Sequence, residues 1–80
     1  MHGLMPSLRP IPHEELERFV LFVGCTFKRQ KGSHRVFWRN DQIRPVIIPC
    51  YKQVPVFIIK NILRQLKVPN EEFLRIVSGL

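Results

Sequence analysis

The sequence predicts a single α+β domain: a helix, three antiparallel strands, a second helix and a short third helix, with the helices on one face of the sheet. Three observations carry that prediction. Apolar residues recur at helical spacing in two separate stretches, led by Leu16 and by Ile59. Between them lies a run rich in β-branched and aromatic residues, broken by Gly32-Ser33 and Asn40-Asp41, turns short enough to demand antiparallel neighbours. The chain has 80 residues, 45% of them hydrophobic, enough for one thin core and too many for a disordered chain.

Residues 1 to 11 hold Pro6 and Pro10 and little periodicity, and read as a loose lead-in to one domain spanning residues 1 to 80. Pro12 suits the first position of a helix, where a missing N–H costs nothing. Glu14 and Glu15 follow in its first turn, favourably placed for the helix dipole. Leu16, Phe19, Val20 and Val23 form its buried stripe, Leu21 and Phe22 widen it, and Gly24 stops it. Cys25 to Lys31 reads as a first strand, Gly32-Ser33 as a turn, and His34 to Arg39 as a second strand. Alternation puts His34, Val36 and Trp38 on one side and Arg35, Phe37 and Arg39 on the other, and neither side is cleanly apolar. Phe37 and Trp38 are both able to stack on bases, with at least one of them expected in the core. Ile43 to Ile48 is the third strand, and Pro45 marks it as an edge strand or a bulged one. The second helix opens at Pro55 or Val56. Ile59, Ile62, Leu63 and Leu66 are its buried side, and Lys60, Arg64 and Lys67 its solvated side, a face that in a fold of this type can also touch RNA. After Pro69, Asn70 is placed to cap a third helix that packs Phe73, Leu74 and Val77 inward.

No apolar run approaches the roughly 18 residues of a membrane span, and the first residues lack the pattern of a signal peptide. Cys25 and Cys50 are too few for a disulfide scaffold or a four-ligand zinc site, and read as buried, reduced thiols of a cytoplasmic protein. The net charge is +7, and its placement matters more than its size. Between Phe19 and Asn70 there are ten basic residues and a single acid, Asp41. A basic middle in a small domain points to a phosphate-bearing partner, nucleic acid above all.

The charge is densest in Lys28-Arg29-Gln30-Lys31-Gly32-Ser33-His34-Arg35. Lys28, Arg29, Lys31 and Arg35 can hold phosphates. Gly32 lets a backbone approach closely, and its N–H or that of Ser33 can donate to an anion. His34 brings an imidazole, whose unperturbed pKa of about 6.5 suits general acid or base work. His2 and His13 lie in the lead-in and at a helix start and read as incidental. Ser33 has no base or orienting group around it in the pattern, which argues against a serine nucleophile.

These residues resemble a known family. A helix ending in glycine, then Arg29-Gln30-Lys31-Gly32-Ser33-His34, a strand ending in Ile48-Pro49, Ile62-Leu63-Arg64-Gln65 and Glu71-Glu72-Phe73-Leu74 are similar to the HicA toxins of HicAB toxin–antitoxin systems, over about residues 14 to 77. The resemblance implies a fold like that of double-stranded-RNA-binding domains and cleavage of mRNA without a metal or other cofactor. It also implies a HicB-like antitoxin partner that covers the active site, and His34 as the catalytic residue. Where relatives often carry further histidines, this chain has Arg35 and Tyr51, so the expected chemistry rests on one histidine.

A different class of function uses the same charge: a noncatalytic RNA-binding module. It has no need of a histidine after a Gly-Ser turn. A dedicated duplex binder would also carry lysines at the start of its last helix, where Val56-Phe57-Ile58-Ile59 is apolar. That apolar start, Phe57 and Ile58 in particular, reads as an anchor patch for a protein partner.

Overall fold

The structure, a computed structural model, describes residues 7–80. Most of the expected lead-in, and His2 with it, lies outside the described residues. The order of elements is α1 (His13–Phe22), β1 (Thr26–Lys31), β2 (His34–Trp38), β3 (Val46–Pro49), α2 (Val56–Leu66) and α3 (Asn70–Ser78). The strands form one antiparallel sheet in the order β1-β2-β3, so the expected fold class is the observed one.

Pro12 stands just outside α1 as its extended N-cap, and its carbonyl accepts from Glu15 and Leu16. Leu16, Phe19 and Val20 are fully buried. Leu21 and Phe22, expected to widen this stripe, are instead exposed, 48% and 63%. They follow Val20 at about 100° and 200° around the helix, and among the described residues that side is left largely open. Gly24 ends the helix at φ +102°, and the Gly24 and Cys25 N–H groups donate to Leu21 and Val20. Only a residue tolerant of positive φ closes a helix this way.

Thr26 to Lys31 pairs with His34 to Trp38 as a hairpin, with an irregular register at Lys28. Gly32 has φ +60° and Ser33 does not have a positive φ, the pattern of a two-residue hairpin turn with glycine first. β3 is an edge strand, as Pro45 indicated, but it starts at Val46 rather than Ile43. Pro45 lacks the N–H that a longer strand would use, and Ile43 is 96% exposed.

The core joins Leu16, Phe19 and Val20 of α1 to Phe37, Val46 and Ile48 of the sheet and to Ile59, Ile62, Leu63 and Leu66 of α2. The buried side of α2 is thus the expected one. α3 contributes Phe73, whose ring meets Phe19 edge-on at 4.8 Å between centroids. Asn70 does not cap α3: the extended Pro69 holds the cap position, without a side-chain cap bond, and Asn70 is already helical. Arg39 ties two helix ends together. Its Nη1 donates to Val23 O at 3.1 Å and its Nη2 to Leu66 O at 3.2 Å, while Asp41 holds the same guanidinium at 2.6 Å. A cation on two helix C-termini is favourable to both dipoles. Upstream of α1, Ile11 is anchored rather than loose: it is buried and bridges to Val54.

Candidate functional site

The strand pairing sorts the basic run onto two faces. Residues paired across an antiparallel sheet share a face. His34 pairs with Lys31 on one side and Pro49 on the other, and Val36 pairs with Arg29 and Ile47. Arg29, Lys31, His34 and Ile47 therefore lie on one face, together with Trp38, two residues beyond Val36. That face is opposite to the one carrying the buried Phe37, Val46 and Ile48. His34, Arg29 and Lys31 are all exposed, as is Lys28 at the register irregularity. Among the described residues none of these four side chains enters an ion pair. They form a positive surface with no internal counter-charge.

The Gly32-Ser33 turn holds His34 at the start of β2. Gln30 Nε2 donates to Gly32 O at 2.9 Å, and Cys50 N donates to Ser33 O at 2.8 Å. The second bond fastens the turn to the segment after β3, so Tyr51 comes to line the same groove as His34.

Arg35 goes elsewhere. It lies on the covered face, where its Nε donates to Glu17 Oε1 at 2.6 Å and its Nη1 to Gln30 Oε1 at 2.9 Å. Its guanidinium sits 4.3 Å over the Phe27 ring. The other oxygen of Glu17 lies 2.5 Å from His13 Nδ1. Glu17 is the one buried charged residue among those described, and it is satisfied on both sides. The sequence placed Arg35 with the phosphate-holding cations; the structure does not bring it to the face of His34. Nor is His13 incidental. A signal for it existed in the i, i+4 spacing of His13 and Glu17 on one helix. The partner of Glu17, 18 residues further on, had no local signal.

A groove of about 760 Å³ opens beside His34, between β3 and α2. Its walls include Arg44, Ile47 and Tyr51 on the strand side and Ile58, Asn61 and Arg64 on the helix side. Gln65 Nε2 donates to the carbonyls of Arg44 and Pro45, both at 3.1 Å, and holds the two walls together. Phe57, on the first turn of α2, is 66% exposed, and Ile58 is half-buried, so the apolar start of α2 reaches the surface. Phe37 is core and Trp38 is half-buried. Both cysteines are free thiols. Cys25 is buried and Cys50 only half-buried, and burial pushes the Cys25 thiol above its ordinary pKa, which keeps it protonated and inert. Among the described residues no three His, Cys, Asp or Glu side chains gather in a group that would hold a metal ion. No helix among them is long and apolar enough to cross a membrane.

The fold and the Gly-Ser-His turn define a class, and comparison with known families agrees. A family model described as the HicA toxin of bacterial toxin–antitoxin systems matches residues 14–68, from the first turn of α1 to just past α2. The chain belongs to the HicA toxin family, and so is the toxin of a toxin–antitoxin pair with a cognate antitoxin as its partner. No curated protein matches it.

Proposed function

We propose that this toxin is an endoribonuclease that cleaves mRNA, using the substrate's own 2′-hydroxyl as nucleophile and His34 as general acid–base. In such a reaction the 2′-oxygen bonds to phosphorus as the P–O5′ bond breaks. The products are a 2′,3′-cyclic phosphate and a 5′-hydroxyl. His34 takes the 2′-hydroxyl proton, and its protonated form can return a proton to the departing 5′-oxygen. A positioned group of this kind contributes about 10²–10⁴ in rate. Lys28, Arg29 and Lys31 hold the RNA backbone and offset the charge that builds on the phosphate. Gly32 and Ser33 supply the turn that brings backbone N–H groups near it. Neither a metal nor an organic cofactor takes part in these steps. A HicB-like antitoxin silences the toxin in the cytoplasm by covering this surface, and the exposed Phe57 gives it an apolar anchor.

The observation that carries the reading is the position of His34: exposed, next to the turn, on the face of Arg29 and Lys31, where among the described residues no carboxylate pairs with the charge. The test is incubation of the parent and of His34→Ala with a long single-stranded RNA in EDTA. The expected result is fragments from the parent only. Equal cutting by both proteins removes His34 from the mechanism. RNA bound but uncut by the parent favours the noncatalytic binding module.

A further inference from the structure

Apart from His34, the groove between β3 and α2 is lined by residues that the proposed cleavage step does not use. His34, Arg44 and Arg64 line it, and among the described residues no aspartate or glutamate does. Arg44 and Arg64 are exposed and sit on opposite walls, so two cations face one trough. The same walls carry apolar surface, Ile47 on the strand side and Ile58 on the helix side, and the half-exposed ring of Tyr51. Cations alone fit any polyanion. Cations in one groove with an aromatic ring and aliphatic side chains fit a polyanion whose bases are free to leave the stack.

Size and helix chemistry point the same way. A trough of about 760 Å³ lies in the range of small-ligand sites, which suits a nucleotide or two and not the side of a duplex. A duplex presents phosphates and 2′-hydroxyls and hides its base faces, so Tyr51, Ile47 and Ile58 would gain nothing from it. The first turn of α2, Val56-Phe57-Ile58, offers no cation to a duplex backbone.

We infer that this groove seats an unpaired stretch of RNA, with a base stacked on Tyr51 and flanking phosphates held by Arg44 and Arg64, next to His34. The inference takes its ligand class from the ribonuclease reading and names the part of the ligand that is recognised: single-stranded nucleotides beside the scissile phosphate. Arg44, Tyr51 and Arg64 are then the residues that make the toxin choose single strands over duplex.

The probe is a fluorescent 2′-O-methyl oligonucleotide of roughly 12 nucleotides, alone or annealed to its complement, titrated by anisotropy against the full chain. Methylation removes the attacking hydroxyl, so the probe is bound without being cut. The single strand is expected to bind at least tenfold more tightly than the duplex. Tyr51→Ala should weaken single-strand binding about five- to hundredfold, and Tyr51→Phe should restore it, because stacking needs the ring and not the hydroxyl. Arg44→Gln with Arg64→Gln should flatten the slope of log affinity against log salt by about 1.4. All three side chains are exposed, so circular dichroism should show each variant folded. Duplex bound as tightly as single strand, or groove variants that bind like the parent, would overturn the inference. So would variants that release the cognate antitoxin and keep the oligonucleotide, since the groove would then belong to the protein partner. The two readings fail separately. A parent that binds single strands through this groove but never cuts RNA ends only the ribonuclease reading. A parent that cuts RNA while the groove variants bind unchanged ends only this inference.

Discussion

His34 and Arg35 are neighbours in one basic run, and the sheet sends them to opposite sides of β2. On the covered side, Arg35 meets Glu17 and Gln30, and Glu17 meets His13, so each charge has a partner. On the open side, His34, Arg29 and Lys31 have no such partners among the described residues. The difference teaches how to sort charge in a small domain. A charged group whose partners are internal contributes to the fold. Exposed cations left without counter-charge cost stability through mutual repulsion, and a ligand of opposite charge explains their clustering.

The largest effect expected from breaking the covered side comes from Glu17→Ala. It strands the half-buried Arg35 and His13 at once, and should lower stability by about 2–3 kcal/mol in urea unfolding. A loss under about 0.5 kcal/mol would mean that this side is no better organised than an ordinary surface. On the open side, Arg29→Gln with Lys31→Gln should change stability by no more than about 0.5 kcal/mol. The same double variant should flatten the salt dependence of RNA binding by about 1.4 in slope, measured by anisotropy. Loss of stability without loss of RNA affinity would reverse the assignment of the two faces.

A smaller effect sharpens the contrast through pH. Asp41 accepts two bonds from Arg39, and that guanidinium holds its carboxyl below the ordinary value. A carboxyl with a depressed folded-state pKa contributes stability that is fully present above its unfolded value, about 3.9, and is lost as pH falls through the folded value. Acid melting curves of Asp41→Asn should therefore converge on those of the parent as the pH drops below about 4. Divergence there, or no difference at neutral pH, would show that the bonds to Asp41 carry no pH-linked stability.

The helices were legible in the sequence because their burial is periodic and local. Ile59, Ile62, Leu63 and Leu66 recur at helical spacing and all are buried. The hairpin was legible from Gly32, where the turn needs positive φ. Three features were not legible, each because it depends on which distant segments meet and which do not. The sides of β2 could not be told apart, since Arg35 is taken up by a glutamate from α1. Leu21 and Phe22 were apolar enough to suggest cover that no other element supplies. The groove gathers Arg44, Tyr51 and Arg64 from three separate segments, which no motif joins. His34 itself was singled out by its setting in the basic run and by resemblance, and its exposed place beside Lys31 is what the fold adds.

The most direct test of the division of labour on β2 compares His34→Gln with Glu17→Ala for both melting temperature and rate of RNA cutting per folded molecule. His34→Gln should melt within about 2 °C of the parent and lose about 10²-fold or more in cutting. Glu17→Ala should melt roughly 10 °C lower and, below its own transition, cut at the parent's rate. A His34→Gln protein that cuts normally, or a folded Glu17→Ala protein that does not cut, would contradict the account.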